Sequence, residues 1–286
     1  HADGTVKAEQ QISDTTGGLT TTLGDGDRFG ISVAALGDVN GDGLPDAAVG
    51  ADFDDDGGTD RGSVYLLFLN ADGTVKNEQK ISDTTGGFNG LLSNGDRLGL
   101  GLSGAGDLDG DGTPDLGIGA YADNDGGSAR GAVYLVTLNP DGTVADDVKI
   151  SDTAGGFDGL LDDSDRFGFS VASLGDLDGD GAANLAIGAE LDDDGGTNRG
   201  AVYVLDLSSS PEAVVNSTGD GTDTNPGDGA CYTGANNSNG DPECTLRAAI
   251  TEANASTFVN AIEFDMPSTE GGHSTGVWTL SPASAY

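Results

Sequence analysis

Basic residues are scarce. Eleven lysines and arginines stand against 49 aspartates and glutamates, a formal net charge of −38 over 286 residues. A chain of that sign repels nucleic-acid phosphates and anionic membranes, so its natural partners are cations. No apolar run approaches the roughly 18 residues that a membrane-spanning helix needs, so no membrane span is expected in this sequence. There is no initiator methionine, signal peptide or polybasic tract, and the sequence reads as an internal segment. Histidine occurs only at His1 and His273, so neither a Ser-His-Asp nor a Cys-His arrangement can be assembled, and the chain is expected not to be an enzyme. The two cysteines, Cys231 and Cys244, lie in a polar stretch toward the C-terminal end, where an oxidising compartment and a Cys231–Cys244 disulfide are expected.

Glycine, in contrast, is abundant, with 50 residues. They recur at fixed places and so read as turn residues rather than as low complexity. Asp38, Asp107 and Asp176 open the segments DVNGDGLPD, DLDGDGTPD and DLDGDGAAN at intervals of 69 residues. The same interval relates the Asp-Arg pairs at Asp27, Asp96 and Asp165, and the RGSVYLL, RGAVYLV and RGAVYVL segments at Arg61, Arg130 and Arg199. A repeat of this length marks a solenoid or a propeller. Each unit has four runs with strand chemistry, which in the first unit are Phe29–Leu36, Ala47–Ala51, Ser63–Leu69 and Val75–Ser82. The small residues of Ala47–Ala51 fit a place where neighbouring backbones come close. A four-stranded antiparallel sheet of this size cannot bury both faces alone, so successive units must pack face to face. Three are too few to close a ring of usual size.

The Asp-rich segments carry the chemistry. Oxygen-bearing side chains stand at positions 1, 3, 5 and 9, a backbone carbonyl is available at position 7, and glycine at position 6 permits the bend that wraps a hard cation. The predicted ligands are Asp38, Asn40, Asp42 and Asp46 with the carbonyl of Leu44, then Asp107, Asp109, Asp111 and Asp115 with that of Thr113. In the third loop they are Asp176, Asp178, Asp180 and Asn184 with Ala182. Calcium is the expected ion, at about three sites, the third weaker because Asn184 replaces a carboxylate. Asp/Gly/Asn runs also form turns without metal, but carboxylates packed this densely repel one another unless a cation intervenes. A second acidic run, starting at Asp54, Asp123 and Asp192, precedes Arg61, Arg130 and Arg199 by a few residues, and a hairpin turn with a local ion pair suffices to explain it.

Phe29–Gly30, the loop at Asp38 and the Val49–Ala51 element resemble the FG-GAP repeat of integrin α-subunits and their bacterial relatives. The Pro of the second element is replaced by Asp52, Tyr121 and Glu190, and the second Phe-Gly by Leu98–Gly99. The resemblance covers residues 1–208. It implies β-propeller blades, calcium held in loops between strands, and adhesion or recognition at a cell surface.

Residues 209–243 read as a Gly/Asn/Asp-rich linker, and residues 244–286 as a separate region. Cys244–Ala255 is the clearest helix, with Thr245 as N-cap and Leu246, Ala249, Ile250 and Ala253 as its apolar stripe. CTLRAAITEAN is similar to the CSLREA-type motif that precedes parallel β-helices in bacterial surface proteins, which implies that the strands IEFDM (262–266) and GVWTL (276–280) begin such a β-helix.

The expected fold is thus all-β: three four-stranded antiparallel propeller-type blades forming an incomplete propeller, then one short helix and the start of a β-helix. The expected function is that of a calcium-binding, secreted or cell-surface, bacterial scaffold or adhesion protein that meets a protein or polysaccharide surface ligand. The alternative is a non-catalytic module of a secreted polysaccharide-active enzyme, a lyase or glycosidase. Carboxylate pairs could serve glycoside hydrolysis, but a catalytic pair should occur once rather than three times.

Overall fold

Each 69-residue repeat folds as one antiparallel sheet, because Asp- and Gly-rich turns separate runs of β-branched, leucine and aromatic residues. The computed structural model describes residues 4–177 and 183–207, and beyond them 217, 222, 224, 233–236 and 243–255. The first of two compact units, His1–Leu207, holds all three sheets. Strands β1 (Val33–Gly37), β2 (Asp46–Ala51), β3 (Ser63–Leu69) and β4 (Val75–Ile81) pair in that order. The second sheet repeats the order with β5 (Leu98–Gly106), β6 (Asp115–Ala120), β7 (Ala132–Leu138) and β8 (Val144–Ser151). Among the described residues the third sheet has three strands, β9 (Phe167–Gly175), β10 (Asn184–Ala189) and β11 (Ala201–Leu205). The fourth strand expected of it would fall outside the described residues.

Register repeats with sequence: Val49 faces Tyr65, Ile118 faces Tyr134 and Ile187 faces Tyr203. One boundary differs from expectation. The first strand begins at Val33 instead of Phe29, whereas β5 and β9 begin at Leu98 and Phe167, the equivalents of Phe29, each bridged to a glycine of the preceding sheet, Gly62 or Gly131; all three follow an arginine with left-handed φ, 61° at Arg28. Arg97 and Arg166 take the same conformation, φ 61° and 62°. Arginine rarely accepts that region, so this turn is strained at every repeat.

The sheets stack face to face. Val64, Leu66 and Phe68 of β3 share one core with Leu98, Leu102, Leu116, Ile118 and Val136 of the second sheet. Val133 and Leu135 of β7 likewise meet Phe167, Val171, Leu185 and Ile187 of the third. The strands β1, β5 and β9 lie side by side, giving a propeller-like arrangement. Small residues in the second strand of each sheet make this possible. A Cβ on Gly119 would lie 1.9 Å from the Gly168 carbonyl oxygen, and one on Gly50 equally near that of Gly99. The expected close approach of backbones in this strand is therefore present.

The second unit, Ser208–Tyr286, contains helix α1 (Leu246–Ala255). Thr245 caps it as expected, its hydroxyl accepting the Ala248 N–H at 3.1 Å. Of the expected apolar stripe, Ala249 is buried and Leu246 and Ile250 are half-buried, and Ala248, outside the stripe, is buried as well. Cys244 is buried, and Cys231 lies outside the described residues, as do the strands expected at 262–266 and 276–280. Among the described residues no helix is long and apolar enough to cross a membrane.

Candidate metal centre

Each Asp-rich loop joins the first two strands of its sheet, and the sheet itself holds the last predicted ligand. Asp46 starts β2 and is buried, accepting N–H bonds from Val39 (3.0 Å) and from Leu69 at the end of β3 (3.2 Å). Asp115 repeats this with Leu108 (2.6 Å) and Leu138 (2.9 Å). Burial pushes both carboxyls up, Asp115 to about 7, with Asp109 and Asp107 adding repulsion.

The rest of the loop folds around the first ligand. Both oxygens of Asp38 accept backbone N–H bonds, from Asp42 (3.0 Å) and Gly43 (2.7 Å), while Asn40 accepts from Asp42 (2.9 Å) and Asp42 from Leu44 (3.0 Å). In the second loop Asp107 accepts from Gly110 and Gly112, both at 2.9 Å, Asp109 accepts from Asp111 (3.1 Å) and Asp111 from Thr113 (2.6 Å). Gly43 and Gly112, at position 6, have φ of 86° and 90° with nothing close to the missing Cβ, so the demand there is conformational.

These bonds use one lone pair of each oxygen and leave others for a ligand. One oxygen from each of Asp107, Asp109 and Asp115 lies within 4.8 Å of the others. An ion with ligand distances of about 2.3–2.6 Å can touch all three. The residues thus fit a hard divalent cation, with Asp111 and the Thr113 carbonyl at the adjoining loop positions. Burial, then repulsion from Asp111 and Asp107, also raises the Asp109 carboxyl.

The first loop differs in one respect. The Lys76 ammonium on β4 sits 2.8 Å from Asp42 Oδ2 and holds that carboxyl below its usual range. Its equivalent in the second unit is Ala145. In the third loop Asn184 accepts the Leu177 N–H (2.7 Å) and donates to Asp206 (2.9 Å). Asp176 is described and exposed, whereas Asp178, Asp180 and Ala182 lie outside the described residues.

Loops of this geometry, set between the first two strands of stacked four-stranded sheets, can be compared with known proteins. Two of the three units match the FG-GAP repeat. The matched residues are 29–67 and 161–205. The chain is 34% identical to integrin alpha-PS2 of Drosophila melanogaster over 196 residues, 67% of this chain and 13% of that protein. It is 42% identical to human integrin alpha-7 over 95 residues, 33% of this chain and 7% of that protein. Integrin alpha-PS5 of Drosophila melanogaster is 36% identical over 166 residues, 57% of this chain and 15% of that protein. The chain therefore spans less than a sixth of the length of each of these relatives.

The repeats contain a second acidic network whose pairings differ from the expected local ion pairs. Arg61 and Arg130 do not pair with the run just before them. Arg61 reaches Asp83 and Asn94, and Arg130 reaches Asp152 (2.8 Å) and Asp163 (3.2 Å) in the connection to the next sheet. The first carboxylate of the run, Asp54 or Asp123, is buried against Lys80 (3.0 Å) or Lys149 (2.9 Å) and accepts the Tyr65 or Tyr134 hydroxyl. Asp56, the third of its run, is held down at about 2 despite burial by the hydroxyls of Thr84 and Ser82 and by Lys80. Beside this network stands Asp96 of the Asp-Arg pair, pushed up to about 6 by burial and, further, by the Asp123 charge. The 69-residue recurrence of Asp27, Asp96 and Asp165, and of Lys80 and Lys149, was the sequence sign of these groups. Lys80 pairs with Asp54 and Asp56, and Lys149 with Asp123 and Asp125, so the network reads as internal architecture.

Proposed function

We propose that this chain is a calcium-binding, integrin-like FG-GAP module that acts outside the cell or at its surface in adhesion or as a scaffold, without catalysis of its own. The observation that carries the reading is the convergence of Asp107, Asp109 and Asp115 oxygens within 4.8 Å, with the equivalent loop one repeat earlier bonded in the same way. Asp38, Asn40, Asp42, Asp46 and the Leu44 carbonyl would serve the first site, and Asp107, Asp109, Asp111, Asp115 and the Thr113 carbonyl the second. Asp176, Asp178, Asp180, Asn184 and the Ala182 carbonyl would make a third, weaker one, because Asn184 brings no charge and already donates to Asp206.

The name integrin on its relatives supports an adhesive role with a protein or polysaccharide ligand. The acidic composition, the Cys231–Cys244 pair and the CTLRAAITEAN segment support an extracellular, bacterial setting in which residues 244–286 open a β-helix. Thermal melting of the chain in calcium and in chelator tests the metal. Calcium should raise the melting temperature, and an unchanged melt would sink the claim. Beads coated with the chain, scored for calcium-dependent capture of cells or polysaccharide, test the adhesive role.

A further inference from the structure

We infer that the cavity between the first and second sheets, lined by Phe68, Lys76, Asn77 and Pro140, is a saccharide site that takes one neutral sugar ring. This deepens the adhesive reading, on which it rests for the polysaccharide, by naming a ligand class and a place; it does not depend on a bound cation. The cavity, of about 270 Å³, lies where the β7–β8 turn leans over the end of β3. That turn is closed by the Gly142 N–H, which donates to the Asn139 carbonyl at 2.8 Å. A Cβ on Gly142 would stand 2.9 Å from Cζ of Phe68, so the turn rests directly on the ring. Buried Phe68 makes an apolar floor and exposed Pro140 an apolar wall, while Asn40, Asp42, Lys76, Asn77 and Asp141 supply the polar groups.

Those polar groups both donate and accept. The Lys76 ammonium has three donors, and its contact with Asp42 Oδ2 at 2.8 Å uses one. Oδ1 of Asp141 accepts the N–H (3.0 Å) and the hydroxyl (2.6 Å) of Thr143, which fixes the carboxylate and leaves lone pairs for further donors. Hydroxyl groups can donate to the carboxylates and accept from the ammonium and the amides, while the C–H face of a sugar ring lies on Phe68 and Pro140. An anion would meet Asp42 and Asp141, with only the already paired Lys76 to receive it, in a chain of net charge −38. A cation would have to displace Lys76 from Asp42. The repeat itself does not call for these side chains. Asn40, Phe68, Lys76 and Asn77 have Asp109, Thr137, Ala145 and Asp146 at the same places one repeat later, and Pro140 has Ala71 one repeat earlier. The second sheet keeps the strand order of the first without them, so recognition of a ligand, rather than the fold, accounts for their presence.

Saturation-transfer NMR on the full chain with methyl mannoside, methyl glucoside and methyl galactoside, in chelator and in calcium, tests the site. At least one of these glycosides should bind, with a Kd on the order of 1 mM for a single ring. Lys76→Ala and Asn77→Asp each install the residue that the second repeat carries at that place, so both variants should fold. Each should weaken binding by at least about fivefold. Methyl glucuronide, which adds a carboxylate to the same ring, should bind more weakly than methyl glucoside. The inference is overturned if none of the three neutral glycosides receives saturation, if both variants bind as the parent does, or if the glucuronide binds best. A thermal melt that ignores calcium would remove the metal and leave this result standing, whereas failure of the glycosides with an intact calcium response would remove the saccharide site alone.

Discussion

The Asp115 carboxylate at the start of β6 accepts the Leu138 N–H at 2.9 Å at the far end of β7. With the Leu108 N–H on its other oxygen, this carboxylate ties the loop to two strands whether or not an ion is present. The last of the proposed ligands is therefore held by the sheet, while Asp107 and Asp109 stand exposed in the loop. A preformed anchor of this kind lowers the ordering cost of binding.

Replacing Asp115 by Asn should remove both a charge and an acceptor. The amide cannot accept the Leu138 N–H with its nitrogen, so one buried donor also loses its partner. Calcium affinity at the second site should fall by at least about tenfold, ~1.4 kcal/mol, in a calorimetric titration. One site fewer should be titrated at micromolar protein, with the first site unchanged. An unaltered isotherm would mean that Asp115 only braces the fold.

Lys76 competes with any ion for Asp42. Its ammonium lies 2.8 Å from Oδ2, whereas the second unit has Ala145 at this place. Lys76→Ala should therefore tighten calcium binding at the first loop and leave the second as it was. Because the lysine is exposed, the gain should be modest, a few-fold at most at physiological salt and larger at low salt. Titrations of the variant and the parent at two ionic strengths would show it, and no gain at either strength would remove Lys76 from the account.

Much of this was legible in the sequence because a strict 69-residue period makes three units check one another. Strand β3 was read to the residue, since Ser63–Leu69 is a run of β-branched, leucine and aromatic residues after one serine, set between glycine and asparagine. The bend of the Asp-rich loop was legible because glycine at position 6 marks it, and Gly43 and Gly112 there take left-handed φ of 86° and 90°. The partners of Arg61 and Arg130 were not. Proximity in sequence pointed to the acidic run, but the left-handed residues Asp60 and Ala129 turn the chain just before each arginine, and its side chain reaches the next connection. The pairing of Asp54 with Lys80 across 26 residues depends on strand register, which composition does not encode. On α1 the expected stripe residue Ala249 is buried, but the burial of Ala248 beside it was not marked by the apolar periodicity.

Asp96 should make stability fall as pH rises. Its carboxyl is pushed up to about 6 from an ordinary 3.8 by burial and then by Asp123, and its Oδ1 lacks a hydrogen-bond partner. The folded state thus holds a proton that the unfolded chain releases, so the stabilisation is fully present below about pH 4 and is lost as pH rises through 6. The loss at neutral pH amounts to about 3 kcal/mol. Asp96→Asn keeps an acceptor for the Ser93 N–H, bonded at 2.6 Å, and removes the charge. The variant should melt higher than the parent at pH 7.5 and no higher at pH 4; equal melts at both values would show that Asp96 is not the group responsible.

Gly119 tests the stacking itself. An alanine Cβ there would stand 1.9 Å from the Gly168 carbonyl oxygen and 2.8 Å from its carbon, so the second and third sheets could not keep their spacing. Backbone atoms cannot yield as a flexible side chain does, and Gly119 is not among the left-handed glycines, which isolates packing as the cause. Overpacking of this kind costs about 1–3 kcal/mol or more. Gly110→Ala is the control: nothing lies within 4 Å of the added carbon, and only its φ of 78° penalises the change, by roughly 1 kcal/mol. Urea unfolding of G119A should therefore show the larger drop in midpoint, in calcium and in chelator alike. A loss confined to calcium-containing buffer would instead place the effect in the neighbouring loop, and the close approach of Gly119 to Gly168 would then not be what spaces the sheets.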